Sequence, residues 1–120
     1  MVHLITAGIE QAIEPLAQRL GADSLRAVRL RFASNGDYEG FEPTPLTHSS
    51  GKELIIRDIR ERTPGRAALI GDGASDLAAR PAVDLFIGFG GVHIRQRVKD
   101  NAGIYIEQPD LTAILPLLLD

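Results

Sequence analysis

The chain has no cysteine, which excludes disulfides, thiolate metal sites and a cysteine nucleophile and fits a reducing compartment. It has only three histidines. His3, His48 and His93 fall on a predicted strand, a loop and a helix, with no ligand spacing among them, so each reads as structural or solvated rather than as a metal or triad member. Long apolar runs are missing, and Met1-Val2-His3 carries no basic leader. No membrane span or signal peptide is expected, and a soluble cytoplasmic protein is the expectation. Excess charge of one sign is also lacking. A net charge of −3 with acids and bases interleaved offers no stripe to track a nucleic-acid backbone or an anionic bilayer. Repeats and low-complexity segments are absent as well. What is present, 120 residues at 44% hydrophobic and 24% charged, suits one domain with one core, residues 1–120.

One stretch organises the rest: Ala67-Ala68-Leu69-Ile70-Gly71-Asp72-Gly73-Ala74-Ser75-Asp76-Leu77-Ala78-Ala79. An apolar run suited to a buried strand stops at a glycine. It delivers Asp72 and Asp76, four residues apart, onto a Gly-rich turn that opens a short helix. Open parallel sheets bind ligands at the carboxyl ends of their strands, where glycines let backbone approach and helix N-termini favour anions. The same loop also reads as a solvated Asp-Gly turn with Asp76 capping a helix.

In chain order, Val2 to Thr6 predicts a strand ending at Thr6-Ala7-Gly8. Ile9, Ala12, Ile13, Leu16, Ala17 and Leu20 then form a helical stripe stopped by Gly21, with Pro15 expected to kink or shorten the helix. Leu25 to Ala33 and Tyr38 to Phe41 predict a hairpin, with Asn35-Gly36 as a positive-φ pair at its turn. Glu42 to Thr47, with two prolines, predicts a surface loop. A helix is expected from Ser49-Ser50-Gly51-Lys52 to about Arg62, with Leu54, Ile55 and Ile59 inward and Arg57, Asp58, Arg60 and Glu61 outward. After the central loop, Pro81 ends a short helix, Leu85 to Ile87 is a strand, Val92 to Asn101 a helix capped by Gly103, and Ile104 to Ile106 a strand. Asp110 caps a closing helix through Leu119, which Pro116 would cut short. This alternation predicts an α/β layered fold with a mostly parallel sheet flanked by helices plus one hairpin.

Several side chains suit anion or metal chemistry. Lys52 stands in the first turn of a helix, where a cation opposes the helix dipole by about 0.3–1 kcal/mol. It serves either a nearby anion or only solvent. Thr6 closes a strand, where a hydroxyl could donate to a phosphoryl oxygen or serve β propensity alone. Gly88-Phe89-Gly90-Gly91 resembles a dinucleotide fingerprint only superficially, with His93 where a third glycine is expected. Arg57, Arg60, Arg62 and Arg66 could form an anion patch, though interleaved acids favour a solvated helix face. A hydroxyl, an ammonium and two carboxylates converging on one sheet edge would hold a transferring phosphoryl group and its Mg²⁺.

These motifs, taken in order, resemble the haloacid dehalogenase-like phosphatases, and among them the phosphoserine phosphatase family. The resemblance covers nearly the whole chain. It lies in Leu4-Ile5-Thr6-Ala7-Gly8, the hairpin from Arg29 to Phe41, Ser50-Gly51-Lys52, Gly71-Asp72-Gly73-Ala74-Ser75-Asp76 and Phe86-Ile87-Gly88-Phe89-Gly90-Gly91. It implies a Rossmann-like core, Mg²⁺-dependent phosphoryl transfer and a small phosphorylated metabolite such as phosphoserine. By resemblance, Thr6 would bind the phosphoryl group, Lys52 would neutralise developing charge and Asp72 would ligate Mg²⁺. Asp76 would support that ligand and the lysine, Ser75 would face the phosphoryl group, and Ala7 and Gly8 would line the substrate side. Ala7 stands where many of these phosphatases have glycine.

The family's DxDxT motif, which supplies the attacking aspartate and the general acid-base, does not occur in the 120 residues. Nor does the helical cap that comes after it in the family. Without a positioned nucleophile, little or no turnover is expected from these residues alone. The resemblance places the missing strand at the centre of the sheet, between the strands ending at Thr6 and Asp72, a gap of about 9.6 Å. Closure of that gap, a complementing chain or a homodimer by exchange would satisfy the exposed backbone. A nucleophile-free Mg²⁺- or phosphate-binding module, or an assembly surface, is the other reading of the same residues.

Overall fold

Helices and strands alternate along the chain in the computed structural model, which describes residues 1–119. Its contacts divide into two units, Met1–Ile55 and Ile56–Asp120.

In the first unit, β1 (His3–Ile9) leads into α1 (Glu10–Leu20), and β2 (Ser24–Val28) returns parallel to β1. Gly21 ends α1 at φ 69°, its amide donating to Ala17 and Gln18 carbonyls, as a left-handed glycine cap does. Pro15 lies inside this unbroken helix of 11 residues. The expected shortening therefore does not occur, since a proline forgoes one i→i−4 bond while the flanking bonds remain. Much of the predicted apolar stripe is open: Ala17 is buried, whereas Ile9, Leu16 and Leu20 are exposed.

The segment expected as one hairpin strand, Leu25 to Ala33, is divided. Ser24–Val28 joins β1, and only β3 (Leu30–Phe32) pairs antiparallel with β4 (Tyr38–Phe41). At the turn, Gly36 alone takes a positive φ, 92°. Asn35 instead uses its side chain, which accepts from the Asp37 amide at 3.0 Å and donates to that residue's carboxylate. The proline-rich loop contains a short 3₁₀ turn, Pro45–Thr47, capped by the Thr44 hydroxyl.

The helix α2 (Gly51–Arg62) runs across the division between the units. Ile55 and Ile56 are its buried hydrophobic side chains, while Leu54, expected inward, is 55% exposed. The buried face of α2 thus centres on Ile55 and Ile56, one residue further along than the expected Leu54 and Ile55.

In the second unit, β5 (Ala68–Gly71), β6 (Leu85–Phe89) and β7 (Ile104–Ile106) form a parallel sheet in that order. Buried Phe86 and Ile87 of the middle strand share the core with Ala79, Ala82, Val98 and Ile106. β6 runs two residues beyond its predicted end at Ile87, through Gly88 and Phe89, because Gly88 and Phe89 pair with Tyr105 and Ile106. A Cβ on Gly88 would lie 2.6 Å from the Tyr105 ring. The glycines here admit a tyrosine.

Asp84 fixes the entry to this sheet. Its carboxylate accepts the Ala67 amide at 2.7 Å and pairs with Arg60 at 3.0 Å. The Ala67 hydrogen bond, then Arg60 and Arg66, hold its carboxyl below the usual range. Arg60 also donates to the Ala82 carbonyl, and Arg62 pairs with Asp58. Among the arginines considered as an anion patch, Arg60 and Arg62 thus pair with carboxylates of the protein, and Arg66 acts on Asp84 as well.

The connections are α3 (Ala74–Ala78) and α4 (Gln96–Asn101), with a 3₁₀ turn at Arg80–Ala82. The last helix before β7 is shorter than the predicted Val92–Asn101, and Ala102 rather than Gly103 caps it. Asp110 does cap, accepting from Thr112, but what it opens is a 3₁₀ turn, Leu111–Ile114. Pro116 then lies in the first turn of α5 (Leu115–Leu118) instead of ending it, where the missing N–H costs nothing. The parallel strands thus occupy two sheets, and among the described residues β1 has β2 and β5 has β6 as its one strand neighbour. No described helix is long and apolar enough to cross a membrane.

Candidate active site

Thr6, Ala7 and Gly8 occupy an irregular part of β1. In the β1–β2 ladder Ile5 faces Arg26 and Ile9 faces Val28, so extra residues of β1 bulge between those two pairs. Bulges re-aim side chains, and they are enriched beside active sites. The Gly8 amide donates to Thr6 Oγ1 at 3.0 Å, which fixes the hydroxyl and leaves its proton to donate elsewhere. A Cβ on Gly8 would stand 2.7 Å from Ile13 Cδ1 and 3.2 Å from Thr6 Oγ1, so a larger residue there would push the end of the Ile13 side chain aside. Ala7 is exposed.

Lys52 is the second residue of α2 and half-buried. Gly51 before it is seated on the backbone of the 3₁₀ turn, with room for no Cβ: one would lie 1.8 Å from the Pro45 carbonyl oxygen. This close approach sets where α2 begins and hence where the lysine stem leaves the chain. Thr6, Ala7, Gly8 and Lys52 all lie in the first unit.

Asp72, Ser75 and Asp76 lie together in the second. The strand β5 ends at Gly71, and Asp72 stands next at its carboxyl tip with 49% of its side chain exposed. Asp76 is 7% exposed, and its Oδ2 accepts the Gly73 amide at 3.0 Å. The carboxylate thus folds back over the loop like the acidic partner of a capping box. Gly71 makes room for it, since a Cβ there would be 2.2 Å from Asp76 Cβ. Helix capping and site construction, the two readings of this loop, are served by one conformation. Ser75 is half-buried within α3.

Arg95 is a site residue that no sequence pattern singled out. One of its guanidinium nitrogens, Nη1, donates to Asp72 Oδ2 and lies 3.4 Å from the Asp72 carbonyl oxygen. The sequence separation is 23 residues, beyond any local spacing rule. The usable signal was topological. Gly71 and Gly88 are paired neighbours in β5 and β6, so the loop leaving β6 emerges beside the loop leaving β5.

A divalent ion suits part of this site. No group of three or more His, Cys, Asp or Glu side chains that could hold a metal exists among the described residues. Asp72 nevertheless offers an accessible carboxylate at a strand tip, and Mg²⁺ is commonly held by one or two carboxylates together with water and substrate phosphate. The residues present fit a contributing ligand rather than a complete cage. The histidines add none: His3 bonds Ser24 Oγ at 2.7 Å, and His48 and His93 are exposed. His93 lies in the loop before α4 rather than on the predicted helix.

Comparison with known proteins decides the kinship. Phosphoserine phosphatase from Homo sapiens is 45% identical over 109 residues, which cover 88% of this chain and 48% of that protein. The chain is a homologue of the phosphoserine phosphatases. It spans about half the length of the curated relatives it matches. A crystal structure of a phosphoserine phosphatase in apo form superposes with a TM-score of 0.83 at 26% identity, over 96% of this chain and 57% of that one. A structure described as a phospho-aspartyl intermediate analogue of phosphoserine phosphatase gives 0.81 at 26% identity, over 97% and 55%. The α/β architecture is therefore that of the haloacid dehalogenase-like phosphoserine phosphatases. No protein-family model matches the chain.

Proposed function

We propose that the chain is the phosphate- and metal-handling part of a phosphoserine phosphatase-like phosphomonoester hydrolase. The observation that carries this reading is the loop after β5, where Gly71 lets the Asp76 carboxylate seat on the Gly73 amide and leaves the Asp72 carboxylate at the strand tip. In this reading Asp72 holds Mg²⁺, which when bound supplies charge stabilisation at the phosphoryl oxygens. Asp76 positions the loop. The Thr6 hydroxyl, its oxygen already accepting from Gly8, donates to a phosphoryl oxygen, and Lys52 neutralises charge as it develops. Ser75 faces the same group, and the backbone at Ala7 and Gly8 borders the substrate.

The reaction is hydrolysis of a small phosphomonoester, phosphoserine and water giving serine and phosphate, a serine-forming step. The 120 residues hold no DxDxT motif, and the phospho-aspartyl analogue of a relative points to an aspartate as the attacking group. We therefore assign the nucleophile to a segment beyond these residues, joined to them or supplied by a different chain. The absent motif also favours a second reading, a non-catalytic Mg²⁺- or phosphate-binding or assembly module.

Phosphate release from phosphoserine with Mg²⁺, measured with and without an added DxDxT-bearing segment, separates the two. Release that depends on the segment supports the hydrolase. No release in either condition favours the binding module. Release without the segment would mean the nucleophile lies within the chain, to be sought by changing Asp72 and Asp76 singly.

A further inference from the structure

The Asp72 carboxylate is already held by a cation that the chain itself provides. Arg95 Nη1 faces two oxygens of one residue, the Asp72 carboxylate and the Asp72 carbonyl, and the carboxylate is the group that would hold a divalent ion in the proposed reading. The arginine is anchored at its base. Its own carbonyl accepts the Val98 and Lys99 amides, each at 3.0 Å, so its Cα is fixed at the head of α4. The loop before it is tied down as well, with the Gly90 amide donating to the Ile106 carbonyl at 2.7 Å. A Cβ on Gly91 would meet the Gln108 carbonyl oxygen at 2.6 Å. The backbone is thus held while the tip is not: the Arg95 and Asp72 side chains are 50% and 49% exposed. An ion pair this exposed is weak, and rotation about the arginine side chain releases it without moving the loop.

We propose that Arg95 is an internal competitor for divalent cation at Asp72, occupying its oxygens when no metal is bound and swinging off when one binds. The proposal rests on the reading of Asp72 as a metal ligand. It makes cation binding an exchange of one positive charge for another. A carboxylate that would stand alone at a strand tip keeps a partner at all times, and the site discriminates against ions too weakly bound to displace a guanidinium. Binding of a divalent ion also frees Arg95 at the rim of the site.

The test is a Mn²⁺ titration of the full chain followed by electron paramagnetic resonance of the free ion, repeated with Mg²⁺ by calorimetry. Arg95→Gln should bind about two- to five-fold more tightly than the unaltered chain, the range expected from removing a competing exposed ion pair. That advantage should shrink as salt screens the pair. Arg95→Lys, a cation without the planar fork, should fall between the two. Asp72→Asn should lose the binding. Equal or weaker binding by Arg95→Gln, with binding still lost in Asp72→Asn, would overturn the competitor while leaving Asp72 a ligand. Binding unaffected by Asp72→Asn would overturn both, and no binding in any variant would overturn the exchange in these 120 residues. A readout independent of affinity is the Arg95 Nε–H resonance. Mg²⁺ should shift it in the unaltered chain and leave it in place in Asp72→Asn; an Arg95 signal unmoved by saturating Mg²⁺ would overturn the exchange.

Discussion

Asp76 shows how one residue can set a loop. Its carboxylate is buried and accepts the Gly73 amide, so truncation would leave a backbone donor unsatisfied, at a cost of about 1–3 kcal/mol. Asp76→Ala should lose that much in urea denaturation, and Asp76→Asn, which keeps an oxygen acceptor, should lose less. If the two variants prove equally stable, the hydrogen bond does not hold the loop. Asp84 makes a prediction in pH. Its carboxyl is held low by the Ala67 amide and then by Arg60 and Arg66. The stabilisation is thus fully present above the unfolded value of about 3.9 and lost as pH falls through the lower folded value. Asp84→Asn should therefore be less stable than the unaltered chain near neutral pH, with the difference narrowing on acidification below about pH 4. A difference independent of pH would refute the assignment. At this scale the sequence was informative where chemistry is local: Asp72 and Asp76 are four residues apart and fall on one loop and the short helix it opens. It was silent on Arg95, whose partner is 23 residues away and is found only when β5 and β6 lie side by side.

Among the elements, α2 is placed by its first glycine. Alanine is the better helix former by about 1 kcal/mol, yet a Cβ on Gly51 would stand 1.8 Å from the Pro45 carbonyl oxygen, and backbone cannot rotate out of the way. Overlap should win, and Gly51→Ala should be destabilised by about 1–3 kcal/mol in chemical denaturation. Gly103 is the control. A Cβ there meets nothing within 4 Å and its φ is not positive, so Gly103→Ala should gain about 0.4–1 kcal/mol by restricting the unfolded chain. Element identity was largely legible, because hydrophobic period and turn chemistry are local. Partnership was not. Leu25 to Ala33 carries one β pattern, yet the chain parts at Arg29, sending Ser24–Val28 to β1 and Leu30–Phe32 to the hairpin. Pairing energy comes from the neighbouring strand, which the pattern does not name.

For the whole molecule, the open edges of β1 and β5 matter most. Each strand has one hydrogen-bonded neighbour among the described residues, and an unpaired parallel edge invites another strand. If a DxDxT-bearing segment completes the fold as proposed, its addition should slow amide exchange in β1 and in β5, read by mass spectrometry. Exchange unchanged at saturating segment would count against completion. The sequence by itself determined the α/β alternation, the stops at Gly21 and Gly71 and the order of Thr6, Lys52, Asp72 and Asp76, because propensity, capping and turn geometry act over a few residues. Only the tertiary structure decided that the parallel strands form two sheets, that Thr6 to Gly8 bulge out of register, and that Arg95 meets Asp72. Those outcomes depend on which distant segments come to lie side by side, and that is settled by packing and backbone pairing across the whole chain.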